Sequence, residues 1–466
     1  MPGAFSGINM IMQALMAQQE AMQVVGHNVA NANTPGYRRQ EAILTASHPR
    51  ANFTFMGSIL PGQFGTGVLV DRIKRYDTEF IDQRYCFELG ENKRWATEAD
   101  FLNQVEMALA DTGSESLAKR LNDFWGGWQS LSTSPDDLTI RQDTLERSKA
   151  VADSFNRRAS ALNKLRGEQD LTIRERVDEI NELATQLARL NVEITHVEST
   201  NHQPNDLLDE RDKILNRLSE ISGAKAAFQQ FGQVVVSIGG HTLVIGSRAF
   251  EVTATPDPAN GNLVGVGWQD GEPFSPVAGE LKGLMESRDG VVVDQLNRLN
   301  TMAISFMDRI NAIHITGYDL NNVPGQALYT GTDALSMRIN TTLTAENLAA
   351  ASVTNAPGDG TIAKLINDVQ RETLVGLNNM TLGDYNNLRI GDLGLTVKRS
   401  TSQAADHKTV MDALDQQRDS VSGVNLDEEA TKMLAYQKSY QAATRMMTAL
   451  DEMLDRVINN MGVVGR

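Results

Sequence analysis

The chain has 466 residues, 41% of them hydrophobic and 22% charged, with a formal net charge of −16 and a single cysteine. That is enough sequence for roughly two to four domains with a substantial core. The acidic balance, with no basic cluster, argues against a nucleic-acid partner; Cys86 alone excludes an internal disulfide framework, and no apolar run is long enough for membrane insertion.

The opening "MPGAFSGINMIMQALMAQQ" lacks the basic and apolar regions of a cleaved signal peptide. From Phe5 to Val29 the positions Phe5, Ile8, Met12, Leu15, Gln19, Met22, Gly26 and Val29 step by three and four, which predicts one amphipathic helix with a heptad seam. Thr34 precedes Pro35 and is biased out of the helical region, and Gly36 frees the turn, so the helix should end around Asn31 to Asn33. The Gly-, Pro- and Thr-rich text from Tyr37 to Asp77, with Val68, Val70 and Arg72 alternating against Leu69, Asp71 and Ile73, predicts short strands and a hairpin.

Helical periodicity returns near Asp77 and runs to Ser222, broken at "DTGSES" and "STSPDDL". Its longest stretch places Ile180, Leu183, Leu187, Leu190, Ile194 and Val197 on one face and should pair with "PNDLLDERDKILNRLSEISG" as an antiparallel hairpin. Between Phe228 and Pro276 the text turns β-branched and Gly-rich, the pattern of a small β domain. A helix follows with Leu296, Leu299, Ala303, Phe306 and Ile310 on one face. After Gly317 come a strand at "SMRINTTL" and short helices at "AENLAAAS" and "GTIAKLINDVQ". The last helical stretch begins near Leu382, and its final seam is Met433, Tyr436, Tyr440, Ala443, Met447, Leu450, Leu454, Val457 and Met461.

The expected fold class is therefore mainly α with β subdomains, α+β. The chain should run out and back, with paired N- and C-terminal coiled-coil helices. Residues 1–33 with 425–466 form the terminal coiled-coil domain; 34–225 with 279–424 form a helical-bundle body carrying a short β hairpin; 226–278 form an inserted β domain. Pairing the ends hides one seam on each helix and leaves Ile11, Met16, Val24 and Val25, with Met446, Met453 and Ile458, for further copies to cover. Pattern alone equally allows each helix to dock on the body of its own chain.

Chemistry is sparse. No two of the seven histidines share the i, i+4 spacing of a metal-binding helix, and His196 and His202 straddle a helix end. There is no nucleophile elbow or phosphate loop, and "GNLVGVGW" lacks the helix that a dinucleotide site requires. Asp206, Asp209 and Glu210, or Asp427, Glu428 and Glu429, would be the carboxylates of a glycoside-cleaving site. They read better as a charged helical face and as the first turn of a helix capped by Asn425. No cofactor, metal or catalytic residue is expected.

Three stretches go beyond pattern. "ALMAQQEAMQVVGHNVANANTPGYRRQ", "NDLLDERDKILNRLSEISG" and "SGVNLDEEATKMLAYQKSYQAATRMMTALDEML" together resemble the flagellar hook-associated protein 1 family, the hook–filament junction proteins of bacteria. Rod and hook proteins share the signatures of the first and third stretches; the second discriminates. Nothing here is long enough to encode the additional outer domain that junction proteins often carry.

The resemblance implies a non-enzymatic protein outside the cell, exported by the flagellar type III apparatus without a cleaved signal peptide, that joins hook to filament as a mechanical adaptor. It implies self-assembly into a ring segment of about eleven copies, with hook protein on one side and a second hook-associated protein on the filament side. An export chaperone would hold the C-terminal helix before secretion. The terminal helices would form the inner tube, with the assembly seam at Phe5, Ile8, Met12, Leu15, Met22 and Val29 against Met433, Tyr436, Tyr440, Met447, Leu450, Leu454 and Val457. The family turn motif would be Asn31, Asn33, Thr34, Pro35, Gly36 and Tyr37, and the β domain would lie outermost. The alternatives are a hook or distal-rod protein, against which the central helical hairpin argues; a secreted peptidoglycan-cleaving enzyme using the carboxylates above; and an export-regulating chaperone partner, which would not need the β domain.

Overall fold

The structure, a computed structural model, describes residues 3–48, 65–109, 116–200 and 202–456, with side chains from Gly7 onward. Helix α1 (Gly3–Asn31) leads through a tight turn into β1 (Gln40–Ala46), which pairs antiparallel with β2 (Val68–Arg75) from Gln40 opposite Arg75, with a bulge between Ile43 and Leu44. Helices α2 (Glu79–Leu109), α3 (Leu117–Thr133), α4 (Leu138–Ser199) and α5 (Asn205–Ser222) follow. Their limits fall where the sequence supplies caps. The Ser116 hydroxyl accepts from Lys119 N at 3.0 Å, Asp137 Oδ1 accepts from Thr139 N at 2.7 Å, and Gly223 closes α5 in the left-handed region at φ 63°.

Strands β3 (Lys225–Phe228), β4 (Val234–Ile238), β5 (His241–Ile245) and β6 (Arg248–Ala249) form an antiparallel sheet in that order, and β7 (Val252–Asp257) pairs with β8 (Leu263–Trp268) as a separate hairpin. Helix α6 (Glu280–Glu286) passes through a π-helical turn, Ser287–Val291, into α7 (Val292–His314). The irregular stretch after it carries β9 (Tyr329–Thr330) paired with β10 (Arg338–Ile339), and α8 (Thr361–Asp368). Two long helices end the chain, α9 (Leu382–Ser422) and α10 (Leu426–Asp455). This is the predominantly helical class with small antiparallel sheets that the periodicities predict.

The chain divides into two compact units, residues 1–89, 180–251 and 408–466, and residues 90–179 and 252–407. The segment 226–278, expected as one β domain, is shared between them. Asn191 of α4 donates to Val234 O and Gly246 O at 3.0 Å each and accepts from Val234 N, tying β4 and β5 into the first unit. In the second unit, Asp170 Oδ1 accepts from Val264 N at 2.6 Å and Arg288 donates to Val264 O at 2.9 Å, tying down β8. Each hairpin goes with the helix that satisfies its backbone.

The core of the second unit is aromatic: Phe124, Trp125, Trp128, Phe155, Phe306 and Tyr329 pack with the buried α7 face Leu299, Ala303, Phe306 and Ile310. The stretch 345–352, expected as a helix, is irregular. Buried Arg141 donates to Ala345 O at 3.2 Å and Leu348 O at 2.7 Å, while Ala349 N donates to His314 Nε2 at 3.0 Å. Backbone groups that a helix would pair internally are taken by side chains instead. Because Nε2 accepts, His314 carries its proton on Nδ1, which donates to Gln326 O.

In the first unit, α1 and α10 pair antiparallel. A Cβ on Gly7, near the start of α1, would meet Leu450 Cδ1 at 3.3 Å, and Asn28, near its end, donates to Glu429 in the first turn of α10. Ala21, Val24 and Ala42 form the apolar cluster there, with Val70, Ile73 and Tyr436 against it.

Candidate functional site

The site grows from the end of α1. Thr34 N donates to Asn31 O at 2.9 Å and Tyr37 N to Thr34 O at 3.1 Å, two successive turns that stop the helix at Asn31. Asn31 also donates from its side chain to His27 O and accepts from the Thr34 hydroxyl. Asn33, Thr34 and Pro35 are exposed, and Gly36 sits at φ +77°, a conformation that side-chain-bearing residues rarely adopt. The turn thus reverses the chain so that Tyr37 folds back over α1. Its hydroxyl donates to Asn28 Oδ1 at 2.8 Å and lies 3.1 Å from His27 Nδ1.

Asn28 is fully buried and uses both ends of its amide. Nδ2 donates to Gln40 O at 2.7 Å and Glu429 Oε2 at 2.8 Å; Oδ1 accepts from Gln40 N at 3.0 Å as well as from Tyr37. One side chain therefore joins α1, the start of β1, the turn and α10. Glu429 is closed from the other side by Arg39, which pairs with it at 3.0 Å and with Glu428 at 3.2 Å. Asn425 caps this turn of α10, accepting from Asp427 N and Glu428 N at 3.0 and 3.3 Å.

Behind the turn lies a second layer of charge. Arg38 donates to Asp82 at 2.7 Å and approaches Asp212 at 3.4 Å, while its backbone N donates to Asp209. Arg75 donates to Asp209 at 2.8 Å and Asp212 at 2.6 Å. Arg418 closes on Asp82 at 2.9 Å and covers the Tyr85 ring. Gln40 donates to Asp206 and accepts from Asn205, which also donates to Ile73 O.

Burial would raise Asp212, but Arg211, Arg75 and Arg38 hold it below its ordinary value; Asp209 is pushed up by burial, which outweighs Arg75. Burial also raises the Tyr37 phenol, helped by Asp206, Asp209 and Glu429. Burial opposes ionisation of Glu41 too, yet bonds from Lys432 and Tyr76 keep it below the usual carboxylate range. Asp209 and Asp212 are held by guanidinium and backbone amide donors, and Glu41 by the Lys432 ammonium and the Tyr76 hydroxyl. The arrangement is that of a fastener: removing one partner strands a buried charge.

Arg38, Arg39, Gln40, Arg75 and Asp212 were not singled out by sequence reasoning, and Glu429 was read only as an acid in the first turn of the terminal helix. The available signals were "YRRQ" directly after the turn and the i, i+3 carboxylates Asp209 and Asp212 on one helix face. Of the two carboxylate clusters, Asp206 in the first remains exposed on its side chain and Asp209 is paired with Arg75; in the second, Glu428 and Glu429 are both paired with Arg39. Among the described residues, no group of three or more His, Cys, Asp or Glu is placed to hold a metal ion, and no helix is long and apolar enough to cross a membrane.

The helix pair places the seam residues as follows. On α10, Met433, Tyr436, Tyr440, Ala443, Met447, Leu450 and Leu454 are the half-buried apolar positions; Val457, Met461 and Ile458 lie outside the described residues. On α1 the buried stripe is Ile11, Ala17, Ala21, Val24, Val25 and Asn28, displaced by about one residue from the expected positions. Met12 and Val29 are exposed, Ile8, Leu15 and Met22 half-buried, and the Phe5 side chain is outside the described residues. Ile11, Val24 and Val25, expected to remain uncovered, are buried, whereas Met16, Met446 and Met453 are exposed. The reason is a second packing partner. Helix α1 is covered from two sides, since Ala21 and Val24 pack with Ala42, Val70 and Ile73 of the hairpin as well as with Tyr436 of α10, and the buried stripe is shifted accordingly while Met12 and Val29 are turned to solvent.

Residues 102–329 match the family described as flagellar hook-associated protein FlgK helical domain; residues 8–38 match flagella basal body rod protein, and 415–461 match the flagellar basal body rod FlgEFG protein C-terminal family. The chain is 30% identical to Flagellar hook-associated protein 1 of Bacillus subtilis (strain 168), covering 100% of both chains. It is 25% identical to the protein of that name from Salmonella typhimurium, over 97% of this chain and 99% of the relative. Among solved structures, the flagellar hook junction protein FlgK from Burkholderia pseudomallei aligns with a TM-score of 0.64 at 14% identity, over 73% of this chain and 100% of that one. That last likeness concerns the fold.

Proposed function

Because the chain belongs to the flagellar hook-associated protein 1 family, and so is a structural junction component of the flagellum, we propose that α1 and α10 build the inner tube of the hook–filament junction. The Asn28 knot then sets the angle at which the chain leaves that tube. The observation that carries this reading is α10 itself. From Met433 to Leu454 it is half-buried along the stripe facing α1 and exposed elsewhere, with Leu434, Met446 and Met453 in water and Met12, Met16 and Val29 exposed on α1. A helix pair with apolar side chains left on its outer faces is completed by further copies of itself.

In this reading about eleven copies close a ring segment, between hook protein and a second hook-associated protein. The chain reaches that place outside the cell through the flagellar type III apparatus without a cleaved signal peptide. An export chaperone covers the C-terminal helix, Met433 to Met461, beforehand, which prevents premature pairing of the seam. The task is mechanical and involves no catalysis.

Leu450→Asp tests it, since Leu450 faces Gly7 across the pair. In cells whose own copy is deleted, the variant should restore neither motility nor the presence of the chain in purified flagella, while its purified form keeps wild-type helical circular dichroism. Normal motility would remove the inner-tube role.

A further inference from the structure

The α1–α10 pair carries matched groups on its two outer faces that its own chain leaves unused. Gly7 meets Leu450 and Asn28 meets Glu429, and these two anchors are equally far apart along the two helices. With no slip between them, Glu20 stands level with Gln437 and Lys438, Met16 with Gln441 and Ala442, and Met12 with Arg445 and Met446. Helical spacing puts Asn9, Met12, Met16, Gln19, Glu20 and Gln23 on the side of α1 turned away from α10 and from the β1–β2 hairpin, and all six are exposed. The side of α10 turned away from α1 carries Leu434, Lys438, Ala442, Arg445 and Ala449, exposed as well.

The charges on these faces are opposite. Glu20 is the only Asp, Glu, Lys or Arg in α1, and from Met433 to Leu450 the only ones in α10 are Lys438 and Arg445. This stretch of α10 is thus locally positive in a chain of net charge −16. Among the described residues neither Glu20 nor Lys438 has an ion-pair partner, whereas Glu428 and Glu429 are paired with Arg39 and Lys432 with Glu41. We propose that in the assembled structure the outer face of α1 in one copy packs at the same level on the outer face of α10 in the next, with Glu20 paired to Lys438 of that next copy. The proposal rests on the inner-tube reading above and names the surfaces that meet in it. The match itself argues for a second copy as the occupant. A sideways step without axial shift sets acid against base and brings Met12 and Met16 onto Ala442, Met446 and Ala449. Two α1 faces would offer Glu20 no cation. Because the two faces differ and lie on opposite sides of the pair, the contact runs head to tail and every copy uses both, as closing a ring requires. The ion pair contributes little strength by itself and chiefly fixes the register.

The test places Glu20→Cys and Lys438→Cys in one full chain, with Cys86→Ser removing the native thiol, in cells lacking their own copy. The new thiols point away from each other across the helix pair, so a disulfide between them joins separate copies. Mild oxidation of purified flagella should turn the chain into covalent dimers and longer ladders on a non-reducing gel. No dimers in flagella that contain the chain would overturn the contact and leave the inner-tube reading standing. Dimers with Arg445→Cys but not with Lys438→Cys would overturn the level register, since they place neighbours one heptad apart, about 10 Å. Charge reversal gives the second readout. Glu20→Lys and Lys438→Glu should each lower the amount of chain recovered in flagella about tenfold, and the two together should restore it. Each should leave the melting temperature of the purified chain unchanged, because the pair does not form within one copy. A double reversal no better than the single ones, or single reversals that lower the melting temperature, would overturn the proposal. Absence of the unmodified chain from flagella would instead refute the inner-tube reading, and the contact with it.

Discussion

Asn28→Ala tests the fastener most directly. The substitution removes an amide whose four hydrogen bonds serve Gln40 N, Gln40 O, Glu429 and Tyr37. Tyr37 retains His27 within reach and Glu429 retains Arg39, so the principal loss is the two buried backbone groups of Gln40. Each stranded group costs about 1–3 kcal/mol. With water recovering part of that, we expect a local loss of about 3 kcal/mol, or roughly a hundredfold in the opening equilibrium. Native-state hydrogen exchange reads this at the amides of Gln40 and its neighbours in β1, in the purified full chain, where protection should fall by that factor. Asn28→Asp keeps the shape but loses the donors and sets a carboxylate against Glu429, and should lose protection at least as far at neutral pH. Unchanged exchange in both variants would refute the claim that this side chain joins the elements.

Gly36→Ala should destabilise the same turn by about 1–2 kcal/mol, because φ +77° is disfavoured once a Cβ is present; the Lys213 side chain that the new methyl would meet can move aside. Gly36→Asn, which tolerates this region, should cost less in the same exchange measurement, and equal costs would point to the clash instead. His314 supplies a pH dependence. Burial lowers its pKa from 6.5 to about 4 in the folded chain, so the unfolded chain binds the proton first as pH falls. Stability from this group is therefore full above pH 6.5 and declines by about 1.4 kcal/mol per unit towards pH 4. Urea denaturation of the second unit across that range should show the slope, and His314→Gln should flatten it; an unchanged slope would place the titration elsewhere.

The sequence reading and the structure agree most closely where packing is dominated by large apolar side chains at helical spacing. The α10 stripe from Met433 to Leu454 and the α7 face from Leu299 to Ile310 are of this kind, since burying those residues strengthens one periodicity over any alternative. The stop at Thr34-Pro35-Gly36 is equally local, because proline restricts its predecessor and glycine opens the left-handed region. The α1 stripe is displaced for another reason. It is packed by the β1–β2 hairpin as well as by α10, with Ala42, Val70 and Ile73 against Ala21 and Val24, and a seven-residue repeat read for one partner helix does not record the second surface.

What the amino-acid sequence determined by itself was the long helices, the Asn425 cap, the turn after α1 and the family signatures at both ends and in the middle. The tertiary structure alone decided the division of 226–278 between two units, the irregular path of 345–352 around Arg141, and the polar knot. The physical reason is range. Asn28 meets Glu429 and Arg75 meets Asp209 across long separations in sequence, and a hydrogen-bonding side chain carries no mark of which distant partner will satisfy it. Periodicity records which face of a helix is buried; only the folded chain shows what that face is buried against.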